Sequence, residues 1–221
     1  MKIAQYIDHT LLKATTTEAE VVQLCKEAKK YKFYAVCVNS CYVELCANEL
    51  KGSSVKIASV VGFPLGSMDT LAKIAESKNA VIMGADEIDM VINIGFLKDK
   101  KYELVENEIN KIKKAIGDKI LKVIIETCYL TNEEKKIATK LVLSAGADFV
   151  KTSTGFGTAG ATLQDVELLK SATQNKIQIK ASGGIRDYET AKKYIEAGVT
   201  RIGTSNGIQI VTGQKGSEQT Y

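Results

Sequence analysis

The sequence predicts an α/β fold of one domain, a closed (β/α)8 barrel, in which eight parallel strands form a cylinder ringed by helices. Two observations predict it. Short apolar, β-branched runs alternate with longer stretches of helical periodicity, and each run is apolar enough to be buried on both faces, as strands of a parallel sheet are. The glycine-rich turns, moreover, come late in the chain. An open doubly wound sheet would carry one such turn after its first strand, so pattern alone leaves that sheet open but the late glycines favour the closed barrel.

The first strand is expected at 6–12. The others follow at 33–38, 55–61, 87–92, 121–126, 149–153, 177–181 and 201–204. Between them, Tyr102, Val105, Ile109, Ile112 and Ile116 recur at three-and-four spacing, which gives a helix one apolar stripe with Glu and Lys opposite. Thr15 with Glu18, and Thr131 with Glu134, read as capping boxes opening two further helices. Gly52, Gly84, Gly117, Gly146 and Gly198 fall at the ends of helical stretches, where a left-handed residue is wanted.

At 221 residues, 45% hydrophobic and 25% charged, the chain suits one domain spanning 1–221 with a sizeable core. The segment 213–221 is polar and glycine-containing and is expected to be a flexible tail. The net charge of +4 is spread among acidic residues without a basic, aromatic-lined stripe, which argues against nucleic acid and is compatible with a phosphorylated metabolite. No apolar run approaches the ~20 residues of a membrane span, and the N-terminus lacks a signal-peptide layout, so no membrane partner and a cytoplasmic setting are expected. Five cysteines without a C-x-x-C pair read as reduced thiols. Cys37, Cys41 and Cys46 match no zinc spacing and His9 is the only histidine, so no metal is expected.

The chemistry concentrates in Phe149-Val-Lys-Thr-Ser-Thr-Gly-Phe-Gly157. An ammonium is costly to bury, so Lys151 at the end of an apolar strand is pushed towards its neutral, nucleophilic amine. Taken alone, such a lysine would more often snorkel to water. But 177–184 repeats the design with Lys180 before Ser182-Gly183-Gly184, and on neighbouring strands the two lysines would lower each other's pKa. Strand alternation puts Glu87, Asp89 and Val91 on one face, so Asp89 reaches the barrel interior as a proton shuttle or as an ion-pair partner. Lys122 is evenly balanced between a third interior cation and a structural partner of an acid. The loops at 182–184 and 203–206 follow the seventh and eighth strands, where barrels of this kind often bind phosphate. These features describe a lysine-dependent barrel enzyme acting on a phosphorylated substrate.

The combination of Ile7-Asp-His-Thr-Leu-Leu12, Val36-Cys-Val-Asn39, Val61-Gly-Phe-Pro-Leu-Gly66, Asp86-Glu-Ile-Asp-Met-Val-Ile-Asn-Ile-Gly95, Lys122-Val-Ile-Ile-Glu-Thr127, Phe149-Val-Lys-Thr-Ser-Thr-Gly155 and Lys180-Ala-Ser-Gly-Gly184 closely resembles the deoxyribose-phosphate aldolases. The resemblance implies a metal-free, cofactor-free lyase that reversibly cleaves 2-deoxy-D-ribose 5-phosphate to acetaldehyde and D-glyceraldehyde 3-phosphate. By matching positions it implies Lys151 as the Schiff-base lysine, Lys180 as the lysine that lowers its pKa, and Asp89 as an acid/base working through water. Asp8, Thr10, Cys37, Lys122 and Thr154 match residues around the sugar, and Gly155, Gly183, Gly184, Gly203 and Ser205 match the phosphate cradle. Tyr221 matches a C-terminal tyrosine that helps protonate the enamine. Phe156 and Asn206 depart from one branch of the family, which has a lysine and a serine there. A homodimer is compatible with the sequence, which does not itself give the oligomeric state. An isomerase or epimerase of the same fold, and a non-catalytic phosphate-binding barrel, are the alternatives.

Overall fold

The computed structural model describes residues 2–213. Eight strands run β1 (Ile7–Leu11), β2 (Ala35–Val38), β3 (Lys56–Val61), β4 (Glu87–Val91), β5 (Ile120–Ile124), β6 (Phe149–Lys151), β7 (Gln178–Ser182) and β8 (Arg201–Thr204). They pair in parallel in chain order, and β8 returns to β1 to close the barrel. All eight expected strands are present to within a few residues. Between and after them lie α1 (Glu18–Tyr31), α2 (Val43–Glu49), α3 (Thr70–Ile82), α4 (Ile94–Lys98), α5 (Tyr102–Ile116), α6 (Asn132–Ser144), α7 (Leu163–Thr173), α8 (Tyr188–Glu196) and α9 (Gly207–Thr212).

Strand alternation sorts the side chains into two layers. Ile88, Met90, Leu121, Val123, Val150, Ile179 and Ile202 point outward into the main core, where they meet the buried stripes of the helices. The α5 stripe of Val105, Ile109, Ile112 and Ile116 is buried there as its spacing requires. Inward-facing positions divide again. Leu12, Cys37, Ala58 and Val60 form a small apolar lining on one side, while β4 to β8 and β1 contribute charge on the other.

The α6 capping box forms between Thr131 and Glu134 as expected. The α1 box does not use Thr15 and Glu18; it is made by Thr17, whose side chain accepts from the Glu20 N–H while the Glu20 carboxylate accepts from the Thr17 N–H. Three consecutive threonines offer the same offset twice, and a turn in which the Thr16 N–H donates to the Lys13 carbonyl occupies the earlier register. The five expected terminal glycines all have positive φ.

Candidate active site

The interior of the barrel holds a network of seven charged side chains, each at most 3% exposed: Asp8, Glu87, Asp89, Lys122, Lys151, Lys180 and Arg201. Lys151 and Lys180 are direct register partners across β6 and β7. Asp89, on β4, joins them: its Oδ2 accepts from Lys151 Nζ at 2.8 Å and from Lys180 Nζ at 2.7 Å. Its other oxygen accepts from Lys122 Nζ at 2.7 Å. Lys122 also pairs with Glu87 at 2.5 Å, so it is both an interior cation and an ion-pair partner. Lys180 reaches Asp8 as well, and Arg201 binds Asp8 and Glu87 together beneath them.

The charges decide which lysine gives up its proton most readily. Lys122, Lys180 and Arg201 balance Asp8, Glu87 and Asp89 one for one, and Lys151 is the base left over. Burial lowers the Lys151 pKa, Asp89 opposes that, and the Lys180 charge lowers it further; the net shift is downward. Lys180 moves the other way. Burial disfavours its charge, but Asp8 and Asp89 override that and hold it well above the ordinary lysine range. The expectation that each lysine lowers the other is therefore corrected: the effect is one-sided, because Asp8 bonds Lys180 and forms no bond with Lys151. Burial would raise both acids, yet Arg201, Lys180 and Lys122 bring Asp8 down to about 2, and Lys122, Lys151 and Lys180 hold Asp89 well below the carboxylate range.

Other predicted residues surround this network. Cys37 is fully buried on the adjoining apolar lining, with its thiol pKa pushed up by burial. Thr10 donates to the Asp8 carbonyl at 2.8 Å and lines a cavity of about 360 Å³ on the α1 side. Thr154 is buried just beyond β6, where its N–H and hydroxyl both meet the Glu126 carboxylate. Gly155, Gly183, Gly184 and Ser205 line a second cavity, of about 240 Å³, over the ends of β6 to β8. There Gly183 and Gly160 touch so closely that a Cβ on Gly160 would stand 2.3 Å from the Gly183 carbonyl oxygen. Gly203 stands apart from that cavity, under Lys180: a Cβ on it would lie 3.1 Å from Lys180 Cε and 2.4 Å from Ser182 Oγ. Tyr221 lies outside the described residues.

The structure also brings in residues that the sequence reading passed over. Arg186 lines the glycine cavity and forms no ion pair among the described residues, which makes it an available cation at that wall. Its place two residues after Gly183-Gly184 was the available signal. Ser153 and Ser182 have buried hydroxyls without a hydrogen-bond partner among the described residues. Arg201 and Glu87 complete the charge balance, and Glu126 holds Thr154. No group of three or more His, Cys, Asp or Glu among the described residues has the geometry of a metal site.

A charge-balanced interior with one surplus lysine, under a glycine-lined cavity, is matched at the level of sequence. The DeoC/LacD family aldolase profile covers residues 2–212. The chain belongs to this family. It is 55% identical over 213 residues to a deoxyribose-phosphate aldolase of Finegoldia magna, covering 96% of this chain and all of the relative. Among solved structures, an aldolase named QR15 superposes with a TM-score of 0.92 at 44% identity, covering 96% of this chain and 95% of that one. The deoxyribose phosphate aldolase of Aeropyrum pernix, described as a tetramer, superposes with a TM-score of 0.88 at 32% identity, covering 96% and 90%.

Proposed function

We propose that this barrel is a deoxyribose-phosphate aldolase that works through a Schiff base on Lys151, without a metal. It is a lyase of the aldolase family, cleaving 2-deoxy-D-ribose 5-phosphate to D-glyceraldehyde 3-phosphate and acetaldehyde. The observation that carries the mechanism is the charge balance: among the described residues Lys151 pairs only with Asp89, which it shares with Lys122 and Lys180, and it lies at the C-terminal end of its strand, where barrel active sites lie.

Neutral Lys151 attacks the C1 aldehyde of the open-chain sugar, and its proton passes through Asp89 as the carbinolamine forms. Lys180, held as an ammonium against Asp8 and Asp89, gives a proton to the departing hydroxyl, and loss of water leaves an iminium. That cation accepts the electron pair of the C2–C3 bond as the C3 hydroxyl loses its proton. Glyceraldehyde 3-phosphate departs and an enamine remains on Lys151. Protonation at C2 and addition of water then release acetaldehyde and restore the amine. The cavity lined by Gly155, Gly183, Gly184 and Arg186 takes the phosphate, with backbone N–H groups and one guanidinium as its donors.

All five cysteines are free, which suits a reducing compartment, and we take this to be the cytoplasm. Leu71 and Ile82, both more than 70% exposed on α3, favour a self-associated form such as a homodimer. Borohydride reduction in the presence of acetaldehyde, followed by peptide mass spectrometry, tests the mechanism: the adduct is expected on Lys151. Exclusive labelling of Lys180 would overturn the assignment.

A further inference from the structure

Among the described residues, five that are not glycine have positive φ: Lys32, Lys100, Glu126, Gln174 and Asn175. Four are exposed at helix ends or turns, where such a backbone is tolerated; Glu126 alone is buried, at 2% exposure. A buried carboxylate in a left-handed backbone, just beyond a barrel strand, persists only where its surroundings demand it. What surrounds it is the segment following Lys151. The Thr154 N–H donates to Glu126 Oε1 at 3.2 Å, and the Thr154 hydroxyl donates to Oε2. The same hydroxyl oxygen accepts from the Phe156 N–H at 2.9 Å, which closes the turn at Gly155. Gly157 then packs against the carboxylate, where a Cβ would stand 3.2 Å from Glu126 Cδ and 2.6 Å from Cys128 Sγ.

We infer that Glu126 is a positioning residue for phosphate recognition, fixing the turn at 154–157 so that Gly155 and Gly157 present their backbone to the cavity they line. Glu126 is absent from that cavity's wall, so it acts through Thr154 rather than on the ligand. Burial pushes the Glu126 pKa up while the two Thr154 hydrogen bonds pull against that rise; the carboxyl's two oxygens accept the N–H and the hydroxyl together, where an amide offers one acceptor oxygen. The inference rests on reading this cavity as the phosphate subsite.

The test compares kcat and KM for 2-deoxyribose 5-phosphate and for 2-deoxyribose, in the wild type and in the variants Glu126→Gly, Glu126→Gln, Gly157→Ala and Arg186→Ala. Glycine accepts the left-handed backbone without strain, so Glu126→Gly removes the side chain, carboxylate included, while the backbone conformation stays allowed. The expected result is a rise in KM for the phosphorylated sugar that exceeds the change on the free sugar by about tenfold, because both Thr154 hydrogen bonds to Glu126 are lost and the turn they hold is released. Glu126→Gln falls between this and wild type. Gly157→Ala, which disturbs the contact from the loop side, repeats the selective rise and carries the test if the Glu126 variants do not fold. Equal losses on both substrates would make Glu126 a general structural residue and overturn the inference. So would a selective loss in Arg186→Ala with none in the Glu126 and Gly157 variants. A wild type that does not prefer the phosphorylated sugar, with no selective loss in Arg186→Ala, overturns the reading of the cavity instead.

Discussion

Replacing Lys180 by methionine removes one positive charge from the interior and leaves Lys122 and Arg201 facing Asp8, Glu87 and Asp89. Lys151 is then no longer surplus, and it should take up a proton. Lys151 and Lys180 lie 2.8 and 2.7 Å from the same Asp89 oxygen, so their nitrogens are at most about 5.5 Å apart. At roughly 5 Å and an effective dielectric constant of about 20, the lost repulsion is about 3 kcal/mol. That corresponds to about a hundredfold less neutral amine at a fixed pH, or an acid limb displaced upward by about two pH units. The sign is fixed by the nucleophile: the rate rises as pH rises through the Lys151 pKa, and Lys180→Met moves that rise to higher pH.

The assay must separate this field effect from the role of Lys180 as an acid. Imine formation with acetaldehyde, trapped by borohydride at a series of pH values, reports Lys151 nucleophilicity without C–C cleavage. The fold should persist, because Asp8 keeps Arg201 and Asp89 keeps Lys122 and Lys151. A trapping profile that stays in place while kcat falls would refute the charge-balance reasoning and leave Lys180 as a proton donor only.

Asp89→Asn should lower turnover by about 10²–10⁴-fold, the range for a positioned acid/base. It should also lower unfolding free energy by about 3–5 kcal/mol, since three buried lysines lose a shared anion; a denaturant titration that matches wild type would count against this network. Activity should survive EDTA, because every carboxylate of the barrel interior is engaged by a lysine or arginine; a loss restored by adding back a divalent cation would contradict that. Thr17→Ala should cost about 1 kcal/mol of stability by uncapping α1, and Thr15→Ala much less. Equal melting temperatures for the two variants would show that the cap contributes nothing.

The barrel was legible because its signals are local. Each strand is an apolar run, and parity within 87–91 already separates Asp89 from Ile88 and Met90. Lys151 and Lys180 were legible for the same reason, as equivalent positions of consecutive strands. What stayed hidden depends on closure. Arg201 meets Asp8 across 193 residues of sequence, and only the pairing of β8 with β1 brings them together. Without that contact the two lysines look alike, and a symmetric mutual effect is the natural expectation. Lys73 shows the limit in a helix: no role is assigned to it from sequence, yet it is fully buried, 2.9 Å from Glu108 and hydrogen-bonded to the Val91 carbonyl. The Glu126 backbone is hidden in a further way, since residue type does not announce a left-handed conformation that tertiary contacts impose.

Two side chains of one type thus acquire opposite roles from a single difference in surroundings. Both lysines are buried and both bind the same oxygen of Asp89, so neither desolvation nor that carboxylate distinguishes them. Asp8 does, because it sits on β1, two strands from β7, and reaches Lys180 across β8. Arg201 prevents Asp8 from becoming a surplus anion; it occupies the other Asp8 oxygen and passes charge balance on to Glu87, which in turn holds Lys122. The chain of pairs therefore runs around the interior and stops at Lys151. A lone buried lysine would also be neutral, but it would have no acid beside it to dehydrate the carbinolamine. Here the ions that push Lys151 towards its neutral amine are the ones that keep a proton on Lys180, and the Schiff-base route proposed above needs both tendencies at the same pH.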